Sequence, residues 1–243
     1  MKSSNYLAAL VLFLLPAISV ELLTGNTSLA SYLYPLTFVV ETIQYGAALL
    51  LIREMVVRWN KGFSSVLVLA AGYGMVNEAL GTKGFFDPHF YAVMNGGLEN
   101  FGRIFGINVP WALNISIYHA VFSMIVPLVI VSAIFPGPNR WIGNKLCAAL
   151  LIALIAVTVF VFINFSMPPY YYHYNEGLGP ILLIIALLVA DVLIAWKLPT
   201  PHPHKWQIRL YAPVLFVFCA AYMFLSYIFL PSRVQALTHS PLI

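Results

Sequence analysis

Four carboxylates, Glu21, Glu41, Glu78 and Asp191, fall inside runs of apolar residues, and one imidazole, His119, falls inside another. An ionisable group in hydrocarbon costs on the order of several kcal/mol unless it is paired or hydrated, so each one needs a reason. Carboxylates and imidazoles in such places transfer protons, act as general acids and bases, or bond one helix to the next. Their depths narrow the choice. Glu21 and Glu78 fall near one end of their runs, Glu41 lies near the middle of its run, and His119 is about 10 Å in from the same end at 1.5 Å per residue. Asp191 falls in the opposite half. Helical spacing puts Thr37, Glu41, Gln44, Tyr45 and Ala48 on one face, and Ser116, His119 and Ser123 on another. Asn77 stands beside Glu78, and Lys83, Asp87 and His89 follow within a short turn.

The elements that must hold these residues are membrane helices. The chain has 243 residues, 61% hydrophobic and only 8% charged, whereas a soluble domain carries roughly 25% charge. Seven apolar runs can each span about 30 Å of hydrocarbon: Tyr6–Leu23, Leu33–Ile52, Phe63–Leu80, Ala112–Phe135, Leu146–Met167, Leu178–Trp196 and Leu210–Leu230. None alternates as barrel strands do, and backbone polar groups in lipid must pair internally, so the expectation is one all-α bundle of seven helices.

Orientation follows from the basic residues. Lys2, Arg53, Arg58, Lys61, Arg140, Lys145, Lys197, Lys205 and Arg209 gather on one side, against Lys83, Arg103 and Arg233 on the other. The larger group marks the cytoplasm, which places the N-terminus inside and the C-terminus outside a cell membrane. Ser28-Leu29-Ala30, shortly after the first run, is a small-x-small spelling of a cleavage site, but the run is long enough to remain as a span. Glu54 with Arg58 reads as a surface i,i+4 pair of little energetic weight.

The remaining segments are thinner in meaning. Residues 81–111 form the longest connection, rich in aromatics and glycines, and suit a segment lying on or dipping into the interface. Residues 168–177 carry four tyrosines, as an interfacial aromatic belt does. His202, His204 and His239 read as solvated. Cys147 and Cys219 read as unpaired thiols. The net charge of +4 belongs to the membrane surface, so the lipid bilayer is the expected partner and nucleic acid is not. No phosphate-binding glycine loop, nucleophile elbow or His-Glu-x-x-His occurs, and no cofactor or metal is expected. The seventh run has no lysine to carry a retinal Schiff base.

Tyr73-Gly74-Met75-Val76-Asn77-Glu78-Ala79-Leu80, with Lys83-Gly84-Phe85-Phe86-Asp87-Pro88, resembles a stretch shared by uncharacterised bacterial multipass membrane proteins. The likeness runs from about residue 21 to about residue 143 through Tyr45-Gly46, Ile52-Arg53-Glu54, Gly106–Trp111 and Tyr118–Ser123. A fainter one is to the CAAX-protease and bacteriocin-processing family of intramembrane proteases, which carries Glu-Glu-x-x-x-Arg on one helix and histidines on later ones. Asn77-Glu78 with Lys83 is similar to the first motif, with Asn for the first Glu and the basic residue one place late. His119–Ser123 is similar to a helical His motif. That resemblance implies hydrolysis, with Glu78 activating water, His119 polarising it and Asn77 donating to the developing charge.

Three functions follow as expectations: an intramembrane hydrolase, a proton- or ion-coupled solute transporter, or a non-catalytic subunit or receptor. All share one candidate site, a polar cavity opening to the outer face. Glu78, His119 and Asn77 are its chemistry, and Glu41, Gln44, Tyr45, Ser123, Lys83 and Asp87 line it.

Overall fold

The computed structural model describes residues 2–90, 97, 99–165, 174–200, 212–223 and 225. The described chain is almost wholly helical. In chain order, α1 is Lys2–Ala17, α2 Leu29–Tyr32, α3 Pro35–Glu41, α4 Ala48–Arg58, α5 Phe63–Glu78, α6 Val109–Tyr118, α7 Val126–Ile134, α8 Asn144–Asn164, α9 Leu178–Lys197 and α10 Ala212–Met223. A two-stranded antiparallel hairpin, β1 Arg103–Ile104 and β2 Ile107–Asn108, precedes α6. It is a strand pair inside the long connection, where the sequence suggested only an interfacial segment.

Among the described residues, five helical stretches are long and apolar enough to cross a membrane: Asn5–Leu22, Pro35–Arg58, Val109–Ile134, Asn144–Asn164 and Leu178–Lys197. Four of them match apolar runs with ends shifted by three residues or fewer. The second runs six residues past the expected Ile52, through Arg53 and Glu54, because those two charges neutralise each other inside the bundle. The third run is α5, with 16 residues and hence about 24 Å long. Of the seventh run, α10 lies within the described residues; its ends, the tyrosines at 170–172 and the three C-terminal histidines do not.

Two of the long helices are interrupted by a wide, π-helical turn, and a third ends in one. These are Ile18–Leu22 after α1, Thr42–Ala47 between α3 and α4, and His119–Ile125 between α6 and α7. Proline accounts for two of them. Pro16 sits just before the first, and Pro127 just after the third. A proline ring pushes on the preceding turn and removes one N–H donor. With Pro127 unable to donate five residues back, the Phe122 carbonyl shares the Ser19 hydroxyl, at 3.2 Å, with the Pro16 carbonyl, at 2.8 Å. This ties the third wide turn to the first.

Helix α5 runs through the middle, packed against α4, α6, α9 and the third wide turn. Small residues permit this: a Cβ at Gly74 would stand 2.6 Å from the Ser116 Cα on α6. Ser65 donates to the Ala195 carbonyl of α9 at 2.8 Å. By contrast only 6% of the α8 span and 11% of the α9 span are buried, against 67% of Val109–Ile134. The first two therefore present their aliphatic faces outward, as lipid-facing helices do, and the last is internal.

One end of the bundle is basic. Asn5 reaches the Arg140 carbonyl at 3.4 Å, Arg58 bonds Asn144, and Lys61 donates to the Leu198 carbonyl at 2.5 Å. Here the structure corrects one expectation. Glu54 is not a surface residue: it and Arg53 are each 1% exposed. Arg53 donates to Glu54 at 2.6 Å and to the Asn139 carbonyl at 2.7 Å, with its guanidinium 3.4 Å from the centre of the Trp141 ring. Glu54 also accepts the Trp141 N–H at 2.9 Å. Buried ions survive only when both are neutralised and hydrogen-bonded, and this pair meets both conditions. It clamps the α7–α8 connection across the end of α4. A cavity of about 240 Å³ lies beside it, lined by Leu51, Glu54, Met55, Arg58, Asn144 and Cys147.

Candidate functional site

Away from that end, α5, α6 and the three wide turns bring polar side chains together. Glu78 ends α5, where the chain turns through Lys83, a residue with φ of 63°. His119 opens the third wide turn and is 3% exposed. Its Nε2 lies 3.1 Å from Glu78 Oε1 and 3.0 Å from Asn77 Nδ2, and its Nδ1 lies 2.9 Å from Ser123 Oγ. The rings of Tyr45, Tyr73 and Tyr118 surround the imidazole, with centroids between 5.5 and 5.9 Å away.

The network continues beyond this centre. Tyr45 donates to Glu21 Oε1 at 2.8 Å, and Thr27 donates to Glu21 Oε2 at 2.5 Å. Asn77 Nδ2 donates to Tyr45 Oη at 3.3 Å. Gln44 Nε2 donates to Asn77 Oδ1 at 3.3 Å, and Thr158 of α8 donates to Gln44 Oε1 at 3.4 Å. Thr82 donates to Glu78 Oε2 at 3.3 Å. Above that oxygen the chain passes as Gly84, where a Cβ would stand only 2.7 Å away.

These contacts fix the direction of each hydrogen bond. The Glu21 carboxylate only accepts, so the Tyr45 hydroxyl spends its one proton there and must accept from Asn77. The Asn77 amide nitrogen therefore faces Tyr45, and its second hydrogen points at His119 Nε2. That nitrogen has a single lone pair. It can accept from Asn77, or it can carry a proton and donate to the Glu78 carboxylate, but not both. A proton supplied by the Glu78 carboxyl would compete with Asn77 for the same lone pair. The two short contacts at Nε2 thus exclude each other: an imidazole with its hydrogen on Nδ1, toward Ser123, accepts from Asn77, and one with a hydrogen on Nε2 donates to Glu78.

Of the residues singled out from the sequence, Glu78, His119, Asn77, Gln44, Tyr45 and Ser123 form one bonded cluster. Glu41 stands apart from it. It is half-buried, makes no hydrogen bond with a described residue, and interacts electrostatically with Glu21. The second wide turn begins directly after Glu41, so the face expected to carry it with Gln44 and Tyr45 is broken. Lys83 points elsewhere, donating to the Tyr174 carbonyl at 3.0 Å over the Phe162 ring at 4.2 Å. Asp87 accepts the His89 backbone N–H at 2.8 Å in the turn that follows. Asp191 lies against Gly72, away from the cluster.

Sequence reasoning left Glu21, Tyr73, Tyr118 and Thr158 out of the site. Glu21 was visible by its depth, and its i+6 spacing to Thr27 could have suggested a local cap. Thr158 sits on an otherwise aliphatic helix and gave no signal.

No group of three or more His, Cys, Asp or Glu side chains suited to a metal ion occurs among the described residues. No curated protein and no solved structure matches the chain. The model of an uncharacterized membrane protein family aligns with residues 10–234, most of the chain's length, and the chain belongs to that family.

Proposed function

We propose that this multi-pass membrane protein is a proton-coupled permease for a small solute, with Glu78 and His119 as its proton-exchange site. The observation that carries the reading is the double claim on His119 Nε2, at 3.0 Å by Asn77 and at 3.1 Å by Glu78. Moving one proton between Glu78 and His119 makes or releases the Asn77 bond. Asn77 is in turn tied through Tyr45 to the first helix and through Gln44 to the second. Protonation is thereby coupled to contacts among several helices, which is what a carrier needs if a proton is to bias its shape. Glu41 and Glu21 lie beside this relay, within electrostatic reach of each other.

The topology belonging to this reading is one bundle of seven helices in the cell membrane, N-terminus inside and C-terminus outside, with the site opening outward. The shared basic end supports it, because the segments carrying Lys2, Lys61, Arg140 and Lys197 meet there. Reporter fusions at the two termini should give opposite sidedness.

The direct test uses proteoliposomes loaded with a pH-sensitive dye and given a panel of amines, acids and sugars under an imposed pH gradient. At least one solute should move protons with it, and Glu78→Gln should reduce that rate by at least about tenfold, since general acid–base groups contribute about 10²–10⁴. A variant as active as the parent sinks the proposal.

A second reading is favoured by one observation: Asn77, Glu78 and His119 are in mutual contact, as an intramembrane hydrolase resembling the CAAX-protease and bacteriocin-processing family would require. There Glu78 is the base toward water, and His119 with Asn77 stabilises the oxyanion. Peptide cleavage by purified protein that disappears in Glu78→Gln would favour it over the permease.

A further inference from the structure

Helix α9 carries one carboxylate inside its span, Asp191, and the site built on His119 does not use it. Most of α9 faces outward. One stripe does not: Ile184 is 1% and Ala195 0% exposed, and Leu188 packs against the core. Residues 184, 188, 191 and 195 fall on one helical face, so Asp191 belongs to that stripe. Its carboxyl lies in the seam with α5. A Cβ at Gly72 of α5 would stand 2.9 Å from the Asp191 carboxyl carbon. The missing side chain lets the acid lie against the α5 backbone.

Asp191 stands six residues before Lys197, the end of α9, which is about 9 Å at 1.5 Å per residue. A carboxylate at that depth is costly unless it is paired or hydrated. Among the described residues Asp191 makes no hydrogen bond and no ion pair. The helix chiefly packed on α9 is α5. Its titratable side chains, Tyr73 and Glu78, are engaged elsewhere: the Tyr73 ring centroid is 5.8 Å from that of His119, and Glu78 Oε1 is 3.1 Å from Nε2. Of the lysines near the end of α9, Lys61 donates to the Leu198 carbonyl at 2.5 Å, and Lys197 closes the helix. The seam therefore gives a carboxylate no donor. A carboxylic acid brings its own hydrogen, and helix carbonyls have a second lone pair to take it. The place suits an acid that holds a proton.

We propose that Asp191 is a second proton-binding group, serving the basic end of the bundle as Glu78 and His119 serve the other. One proton moves: hydronium at the basic end protonates the carboxylate, the acid later returns the proton to water, and no other bond changes. Gly72 and Glu78 are six residues apart on α5, so about 9 Å along one helix separates the two groups. The transport role rests on the permease reading; the proton binding does not.

The test is infrared difference spectroscopy of the purified full-length protein in lipid bilayers, stepped from acid to alkaline pH. The carboxylic-acid C=O signal should lose one component in Asp191→Asn and keep that component in Glu78→Gln. An Asp191→Asn spectrum identical to the parent's overturns the proton site. Should Asp191→Asn not fold, Gly72→Ala decides. The new methyl pushes the carboxyl off α5 and should move the midpoint of that component by about one pH unit; an unmoved midpoint overturns the site as well. In the dye-loaded proteoliposomes, Asp191→Asn should lower solute-driven proton movement by at least about tenfold. It should keep exchange of the same solute, radiolabelled, across the membrane, because exchange needs no net release of a proton. Loss of exchange too overturns the role in favour of a structural contact. Solute-driven movement intact in Asp191→Asn overturns the role of Asp191 alone. An Asp191 component in a parent that moves protons with no solute overturns the permease reading and the transport role together, and leaves the proton site standing.

Discussion

Arg53→Ala is expected to destabilise the folded protein by about 3–5 kcal/mol, the cost of leaving one partner of a buried ion pair alone. Glu54 would keep the Trp141 N–H and, as its one cationic partner, Arg58 at 3.5 Å, while its own side chain stays 1% exposed. The Asn139 carbonyl would lose its 2.7 Å donor, and the Trp141 ring would lose the guanidinium stacked on it. Arg53→Lys is expected to recover little, since an ammonium provides neither the planar fork nor the stacking surface. The double change Arg53→Met with Glu54→Gln should be more stable than Arg53→Ala alone. It removes both charges together and keeps an acceptor for the Trp141 N–H. Unfolding in detergent against increasing sodium dodecyl sulfate ranks the four proteins. An Arg53→Ala protein as resistant as the parent would show that the clamp does not hold this end of the bundle.

Gly46→Ala should be comparably severe, at about 3 kcal/mol, the upper range for overpacking, because the conflict is with backbone. A Cβ there would stand 1.9 Å from the Phe13 carbonyl oxygen and 2.8 Å from its carbon. No rotamer relieves that, so α1 would have to move away from the second wide turn. The adjacent Tyr45 would then be drawn off Glu21, its 2.8 Å partner on the first helix chain. Gly179→Ala is the control. It lies in the first turn of α9 with nothing within 4 Å of a new methyl apart from its chain neighbours, so the only cost is the restriction Pro180 places on the residue before it. Size-exclusion profiles and melting temperatures of the two variants should diverge. Equal behaviour would mean that α1 and the second wide turn do not pack this closely.

Hydropathy made most of the helices legible, because a span must be apolar over about 20 residues whatever its neighbours are. It failed at Arg53 and Glu54, where two charges cancel across space and composition counts both as polar. Depth also made the centre of the site legible: Glu78, Asn77 and His119 do meet, and Ser123 follows His119 at the i+4 spacing that places it on Nδ1. The wide turns were not legible. A period of 3.6 residues predicts one face for Glu41, Gln44 and Tyr45, and in the structure the last two bond to Asn77 while Glu41, just before the turn, does not. Lys83 and Asp87 were near Glu78 in sequence, but a residue at positive φ redirects the chain and aims Lys83 at Tyr174. Short-range spacing cannot reveal either event, since both are settled by packing against other helices.

The three wide turns have one more consequence. Each holds a residue more than an ordinary turn, and a single residue corresponds to about 100° of rotation about the helix axis. Were such a turn to tighten, the half-helix beyond it would swivel by roughly that angle while staying in its place in the bundle. Glu21, Tyr45 and His119 each stand within one of these swivels. The second and third spans, with helix on both sides of their wide turns, could in this way re-aim Tyr45 and His119 without a single loop having to travel.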